Sequence, residues 1–164
     1  MNGSEFGTGL SMGHRQHDGT KPTTTTVRDV MHAAPKGVVS TDPVVAAARR
    51  LRAHAIAAVP VCAADGEYLG MLTSADIIDR CVADGQDPRA MPAGDLLEGP
   101  AVAVSPDEVF GSRVLGLVLA QSFAMLPVVA ANGHLVGMLT VDDVAGYLLE
   151  SEHVDDVIFD PDGT

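Results

Sequence analysis

The sequence predicts an α/β (α+β) fold made of two β-α-β-β-α units that follow one another along the chain. Residues 60–76 read PVCAADGEYLGMLTSAD, and residues 127–143 read PVVAANGHLVGMLTVDD. Ten of these seventeen aligned positions are identical at a constant offset of 67 residues. Such self-similarity indicates a duplicated supersecondary unit. A site built by one copy should therefore have a counterpart in the other or lie between the two.

Each unit contains a tight hairpin between two apolar strands. The hairpins are centred on Asp65-Gly66 and Asn132-Gly133. These dipeptides suit type I′ turns, because both central residues of such a turn need a positive φ. The strands that they join are predicted at 55–63 and 67–73 in the first unit and at 123–130 and 134–140 in the second.

A short helical turn, a brief first strand and a helix precede each hairpin, and a second helix follows it. In the first unit Asp42-Pro43 is favourable at a helix start, and the apolar residues from Val44 to Leu51 recur at i, i+3, i+4 and i+7. The second helix of that unit is predicted to point Ile77, Ile78, Cys81 and Val82 inward. The opening turns are predicted at 27–31 and 95–98, the first strands at 37–40 and 101–104, and the remaining helices at 108–121 and 141–149.

The chain divides into five parts on this interpretation. Residues 1–26 are expected to be a vector-derived linker and a flexible lead-in, since they are polar and carry a run of threonines. The two repeats occupy 27–85 and 95–150, and a linker that contains Pro88 and Pro92 joins them at 86–94. Residues 151–164 form an acidic tail.

The helix candidate 108–121 has no polar face between Val114 and Ala120. A helix that is apolar on all sides must be buried on all sides. In a chain of 164 residues self-association is the simplest way to bury it. We therefore expect a homodimer through apolar helices that include 108–121, and the sequence leaves room for a protein partner of unknown identity.

The charge of the chain excludes several kinds of partner. The net charge is −12, and every Lys and Arg lies at or before Arg113. Nucleic acids and anionic membranes both require basic surfaces, so neither is an expected partner. The sequence contains no run of 18 apolar residues and no secretory signal, and we expect a cytoplasmic protein.

The sharpest local motif is G-M-L-T-x-x-D, which occurs at 70–76 and at 137–143. The threonine falls at the start of a helix, where free backbone N–H groups favour an anion, and the aspartate one turn later can accept hydrogen bonds from two vicinal hydroxyls. A second interpretation remains open at this point. T-x-x-D is also a variant of the capping box, in which both side chains only satisfy the helix end.

The duplicated unit resembles a tandem pair of CBS domains, often called a Bateman module. The resemblance is carried by h-P-V before each hairpin and G-h-h-T-x-x-D after it, and it covers residues 27–150. The linker segment D-P-x-x-x-x-A-G-D-L at 87–96 is similar to that of stand-alone two-repeat CBS proteins of actinobacteria. The resemblance implies two CBS repeats packed with pseudo-two-fold symmetry, and two clefts between them.

Members of this family commonly bind an adenosine-containing molecule in each cleft, such as AMP, ADP, ATP or S-adenosylmethionine. The resemblance implies that the motif aspartate holds the ribose hydroxyls, that the threonine lies near a phosphate, and that apolar residues of the opposite repeat hold the adenine. One cleft would then contain Thr73, Asp76, Val102, Phe123, Ala124 and Met125. The other would contain Thr140, Asp143, Val38, Ile56, Ala57 and Ala58.

Phosphate-binding members often place a basic residue shortly before the proline of h-P, whereas this chain has alanine or methionine there, at Ala57, Ala58, Ala124 and Met125. Each missing charge-assisted contact is worth about 1.5–3 kcal/mol, which disfavours a triphosphate. We therefore expect a regulatory module that binds an adenosyl ligand, with a ligand-free dimeric interaction module as the alternative. No catalytic or metal-binding pattern stands out, and an enzyme is not expected.

Overall fold

Each repeat forms its own small β-sheet, and helices cover the sheets. The computed structural model describes residues 24–150, so the predicted vector-derived linker, most of the lead-in and the acidic tail lie outside the described residues. Helices and strands alternate as expected, and the predicted α/β (α+β) class is confirmed.

The sheet of the first repeat has three strands. Its central strand β2 (Ala58–Cys62) pairs in parallel with β1 (Val38–Val39) and antiparallel with β3 (Tyr68–Thr73). The elements are α1 (Val27–Val30), β1 (Val38–Val39), α2 (Val44–His54), β2 (Ala58–Cys62), β3 (Tyr68–Thr73) and α3 (Ser74–Ile77), which continues as a π-helical turn (Ile78–Val82).

The second repeat follows the same order with a weaker first strand. Strands β4 and β5 pair antiparallel. The predicted strand at 101–104 is reduced to one parallel bridge between Val104 and Val128. The elements are a 3₁₀ turn (Ala93–Leu96), α4 (Ser112–Ala120), β4 (Met125–Val129), β5 (Leu135–Thr140) and α5 (Val141–Glu150).

The duplication extends to the hydrogen-bond register of the two hairpins. Ala58 lies opposite Thr73 in the first hairpin, and Met125 lies opposite Thr140 in the second. Each hairpin also has a register shift at the equivalent place, after Val61 in one and after Val128 in the other. The two copies therefore present their Thr-x-x-Asp motifs on equivalent backbone frames.

The opening segment of the first repeat packs on the second repeat. Val27 is fully buried in the core of the second repeat, and its backbone N–H donates to the carbonyl of Glu108 at 2.9 Å. Further along, His32 and Met138 exchange two backbone hydrogen bonds of 3.0 and 2.9 Å. The first repeat thus adds an extra strand-like segment to the edge of β5.

The opening segment of the second repeat packs on the first in the same way. The N–H groups of Ala93 and Gly94 donate to the carbonyls of Asp42 and Ser40 at 2.7 and 2.9 Å. Leu96 is almost fully buried in the core of the first repeat. Each core is therefore completed by residues of the other repeat, and the two repeats depend on each other for apolar burial.

The two hairpins meet on the pseudo-two-fold axis. Glu67 forms an antiparallel bridge with His134, which is its own counterpart at the offset of 67 residues. The N–H of Tyr68 donates to the carbonyl of Gly133 at 2.9 Å. A residue that pairs with its own counterpart must lie close to the axis that relates the two copies.

The start of α4 and the end of the lead-in differ from the prediction. Helix α4 begins at Ser112 rather than at 108, because the N–H of Phe110 donates to the carbonyl of Thr25 at 2.8 Å and Gly111 is extended. The lead-in is shorter than expected for the same reason. Thr25 makes this bond, and Thr26 forms a bridge with Val109, so both belong to the fold.

The inward face of α3 is narrower than predicted. Ile77 and Cys81 are buried, as expected, whereas Ile78 and Val82 are 59% and 60% exposed. The helix changes to π-helical geometry at Ile78 and then ends, so only one stripe of its surface faces the core. The prediction that Ile78 and Val82 point inward was wrong.

The close approach of the opening segments explains the glycine of the G-M-L-T-x-x-D motif. A Cβ at Gly137 would lie 2.6 Å from Met31 Sδ and 3.0 Å from the carbonyl oxygen of His32. A Cβ at the equivalent Gly70 would lie 3.2 Å from Leu97 Cδ2. A larger residue at either position would crowd the opening segment of the other repeat, which packs over the glycine. We call this mutual packing of the opening segments their exchange.

We predict that Gly137→Ala lowers the free energy of unfolding by about 1–3 kcal/mol, because the added methyl overpacks the contact with Met31. Gly146→Ala is the matched control. Gly146 is helical and has open space around its Cβ direction, so the control should gain about 0.5–1 kcal/mol. Urea unfolding of the two variants measures both values. Equal stability of the two variants would contradict the close-packing argument.

Candidate functional site

The first Thr-x-x-Asp motif forms a complete capping box. Thr73 is the residue before α3, and its N–H donates to Asp76 Oδ2 at 2.9 Å. The N–H of Asp76 donates in return to Thr73 Oγ1 at 3.0 Å. Two backbone donors at the helix start are satisfied in this way.

Arg80 connects the first motif to the second repeat. One nitrogen of its guanidinium group donates to Asp76 Oδ1 at 2.6 Å, and the other lies 3.2 Å from Glu98 Oε1. The side chain of Arg80 is 24% exposed, whereas that of Glu98 is 74% exposed. The cation is therefore held firmly on one side by Asp76 and loosely on the other by Glu98.

The environment of Asp76 favours its charged form. Partial burial raises the pKa of this carboxyl group, but the hydrogen bonds from Thr73 and Arg80 and the nearby positive charge outweigh burial. The net result is a pKa below the ordinary value of an aspartate. Asp76 is consequently a carboxylate over the whole neutral range, as an acceptor for hydroxyl groups must be.

The second motif is built alike but has a different partner. The N–H and the hydroxyl of Thr140 both donate to Asp143 Oδ2 at 2.7 Å, and the N–H of Asp143 donates to Thr140 Oγ1 at 3.2 Å. His32 Nδ1 lies 2.7 Å from the same carboxylate oxygen. Within the described residues, Asp143 Oδ1 makes no hydrogen bond.

His32 and Glu98 reach the two motifs by the same route. Each directly follows the residue that covers the motif glycine, which is Met31 in one case and Leu97 in the other. Both residues therefore arrive with the exchanged opening segments. His32 contacts Asp143 directly, whereas Glu98 contacts Arg80 and so reaches Asp76 only through that side chain.

A cavity of about 170 Å³ lies between β3 and the second repeat. It is lined by Tyr68, Leu69, Gly70, Met71, Leu97, Glu98, Gly99, Pro100, Ala101, Val102, Gln121 and Phe123. Pockets that enclose a whole small ligand usually measure about 300–1,000 Å³. A nucleoside in this cavity would keep part of its surface in solvent or would displace flexible side chains such as Glu98.

The structure brings some of the predicted site residues together and separates others. Val102 and Phe123 line the cavity beside β3, whereas Thr73 and Asp76 are not among its lining residues. Val38 belongs to the core of the first repeat, and Ile56 packs against that core. The side chain of Val38 is thus occupied by packing within its own repeat.

The strand register sets the neighbours of the remaining predicted residues. Ala58 lies directly opposite Thr73, and the carbonyl of Ala57 accepts a hydrogen bond of 3.1 Å from the N–H of Ser74. Met125 lies opposite Thr140 in the same manner. The segment before h-P therefore borders the motif of its own repeat. The expected assignment of Ala57 and Ala58 to the cleft of Asp143, and of Ala124 and Met125 to that of Asp76, stays a prediction, although the register places Ala58 and Met125 beside the motif of their own repeat.

Two functional candidates were missed by sequence reasoning. Arg80 carries a local signal, since it follows Asp76 by four residues and such pairs meet on a helix surface. His32 carries no local signal, because it reaches Asp143 only through the exchange of the opening segments. Among residues 24–150, no group of three or more His, Cys, Asp or Glu side chains could hold a metal ion. No helix in this part of the chain is long and apolar enough to cross a membrane.

The chain belongs to the CBS domain family. The family model of the CBS domain matches residues 27–83 and 93–150, which confirms the tandem pair. The chain is 33% identical to hypoxic response protein 1 of Mycobacterium tuberculosis over 126 residues, which are 77% of this chain and 87% of that protein.

Solved structures agree with the assignment. The crystal structure of hypoxic response protein I with two coordinated zinc ions has a TM-score of 0.67 at 33% identity, over 76% of this chain and 99% of that one. CBSX2 in complex with AMP has a TM-score of 0.63 at 23% identity, over 76% and 96% of the two chains. CbpB in complex with c-di-AMP has a TM-score of 0.68 at 13% identity, over 77% and 86%. The last two establish a shared fold.

The lowered pKa of Asp76 predicts a pH-dependent contribution to stability. A carboxylate with a lowered pKa stabilises the fold at pH values above its ordinary pKa, and this stabilisation is lost as the pH falls through the lowered value. Asp76→Asn should therefore lower Tm at pH 7, and the difference from the parent protein should narrow below about pH 4. Thermal unfolding from pH 7 to pH 3 tests this. Asp79→Asn, on the exposed side of the same helical segment, controls for net charge, and an equal effect of both variants at every pH would contradict the assignment.

Proposed function

We propose that this chain is a regulatory CBS-pair module that binds an adenosine-containing ligand in the clefts between its repeats. The observation that carries the proposal is the placement of two Thr-x-x-Asp motifs on equivalent frames, each covered by the opening segment of the other repeat. The complexes of CBSX2 with AMP and of CbpB with c-di-AMP support it at the level of the shared fold.

The chemistry of the first cleft suits a nucleoside. Asp76 is held in its charged form, and a carboxylate can accept hydrogen bonds from two vicinal ribose hydroxyls. Val102 and Phe123 offer an apolar wall, and an aromatic ring can stack on a base. Because the wall belongs to the second repeat and the carboxylate to the first, a ligand would touch both repeats at once.

Such a ligand would regulate by changing how the repeats are joined. A ligand shifts a conformational equilibrium only through a difference in affinity for the two states. Contacts to both repeats supply such a difference whenever the repeats move relative to one another. The role that we propose is therefore binding and signalling rather than catalysis, with AMP, ADP or S-adenosylmethionine preferred over ATP because few basic residues surround the motifs.

One observation favours the alternative of a ligand-free interaction module. Both capping boxes are complete within the chain, and the remaining oxygen of Asp76 is paired with Arg80. Among the described residues, no buried side-chain nitrogen or oxygen lacks a hydrogen-bond partner. On this alternative, the motif residues only stabilise helix ends.

Titration calorimetry with AMP, ADP, ATP and S-adenosylmethionine separates the two functions. We expect micromolar binding of at least one compound, and at least about tenfold weaker binding in Asp76→Asn or Asp143→Asn, because each change removes the charge that accepts the ribose hydroxyls. Asp79→Asn and Asp142→Asn are matched controls, since both remove an exposed neighbouring carboxylate. Failure of all four compounds to bind the folded parent protein would favour the ligand-free module.

We also propose that two copies associate through their exposed apolar helix surfaces. Within one chain, α4 buries Val114 and Val118 but leaves Leu119 63% exposed. The exposed residues Ile78 and Val82 add a second apolar surface on the continuation of α3. Exposed aliphatic side chains on two helices are typical of an interface that a second copy covers.

Leu119→Glu should convert the dimer to a monomer at micromolar concentration, because the charge would be buried at the interface without a partner. Light scattering measures the change in mass. Ser112→Glu is the matched control, since it adds the same charge at the exposed start of the same helix. A monomeric parent protein, or a variant that stays dimeric, would overturn the proposal.

A further inference from the structure

The two clefts differ at one pair of equivalent positions. Arg80 in the first repeat corresponds to Tyr147 in the second, at the same offset of 67 residues. Arg80 faces Asp76 and Glu98, as described above. Tyr147 instead shares a hydrogen bond of 2.9 Å with the hydroxyl of Thr25, and its ring packs edge-on against Phe110 at 5.1 Å. At these equivalent positions, the first repeat therefore has a cation that contacts the motif aspartate. The second repeat has an aromatic side chain that packs in the fold.

The residues delivered by the opening segments increase this difference. Glu98 borders the cavity and meets Arg80 with a side chain that is 74% exposed. His32 contacts Asp143 directly, at 2.7 Å. An exposed ion pair contributes little free energy, so Glu98 can leave Arg80 at small cost. Each motif aspartate thus contacts one side chain beyond its own threonine, Arg80 at Asp76 and His32 at Asp143, and of these two Arg80 also has an exposed partner that can leave it.

We propose that the two clefts are unequal and that a phosphate-bearing adenosine ligand binds at Asp76, where its phosphate replaces Glu98 on Arg80. This inference rests on the function proposed above and assigns that function to one cleft. Asp76 accepts the ribose hydroxyls, and Arg80 provides the charge-assisted contact that the usual positions before h-P lack. Glu98 is the internal competitor for Arg80 and limits the affinity.

The charge distribution of the second cleft supports the same assignment. Arg113 is the one Lys or Arg in the sequence of the second repeat, and it pairs with Glu108. Asp142 and Asp143 stand together at the start of α5. At the second motif these carboxylates are accompanied by a histidine, whereas at the first motif Asp76 and Glu98 are accompanied by a guanidinium group that is always charged.

Titration of the full chain with AMP tests the assignment. We expect one AMP per chain, at least about tenfold weaker binding in Arg80→Met, and about two- to fivefold tighter binding in Glu98→Gln. Arg89→Met is the matched control, because it removes one positive charge from an exposed ion pair with Asp87. A gain of affinity in Glu98→Gln is a result that a purely structural role of the network does not produce.

Other outcomes would overturn the inference in distinguishable ways. Two equivalent AMP sites would contradict the inequality of the clefts. AMP binding that depends on Asp143 and not on Arg80 would contradict the assignment to Asp76. Both outcomes leave the proposed function intact. Binding of S-adenosylmethionine without AMP would refute the phosphate contact at Arg80. No binding of AMP, adenosine or S-adenosylmethionine to the folded parent protein would overturn both the inference and the function on which it rests.

Discussion

The opening segment of each repeat packs on the core of the other repeat, and the rest of the structure depends on this exchange. Val27 fills the core of the second repeat, and Leu96 fills that of the first. Neither small sheet has enough helical cover of its own to bury its apolar face, and a core of this size is marginal without the borrowed residues. The chain is therefore a single cooperative body in which the relative position of the repeats is set by packing.

The same exchange fixes the chemistry at both motifs. Leu97 and Met31 lie over Gly70 and Gly137 and leave little room for a Cβ there, least of all at Gly137. The next residue then joins the polar contacts of the motif, as Glu98 does through Arg80 at one site and as His32 does through Asp143 at the other. Each candidate site is thus assembled from one repeat's capping box and the other repeat's opening segment, and a change in either alters both packing and polarity there.

Local signals made much of the fold predictable. The hairpins and the Thr-x-x-Asp caps were located correctly from signals within a few residues. The predicted type I′ turns were wrong, because Gly66 and Gly133 have positive φ whereas Asp65 and Asn132 do not. The exchange was not predictable, because the choice of core for Val27 depends on packing far along the chain. The exposure of Ile78 and Val82 was missed since the helix alone does not reveal how narrow its contact with the sheet is. The position of Ala58 opposite Thr73 follows from the strand register, which depends on pairing along the whole hairpin.

The duplication places equivalent motifs in the two repeats, and the surroundings of the motifs differ at single equivalent positions. Where Arg80 stands in the first repeat, Tyr147 stands in the second, and the tyrosine contacts Thr25 and Phe110. The second site thereby secures the N-terminal segment on which the second core depends. The first site contacts the other opening segment through the pair of Arg80 with Glu98, whose side chain is 74% exposed. Stability and binding make opposite demands on a polar cluster, since one requires satisfied partners and the other requires partners that can be displaced. Binding at Asp76, as we propose, would place the two demands in different repeats of one fold.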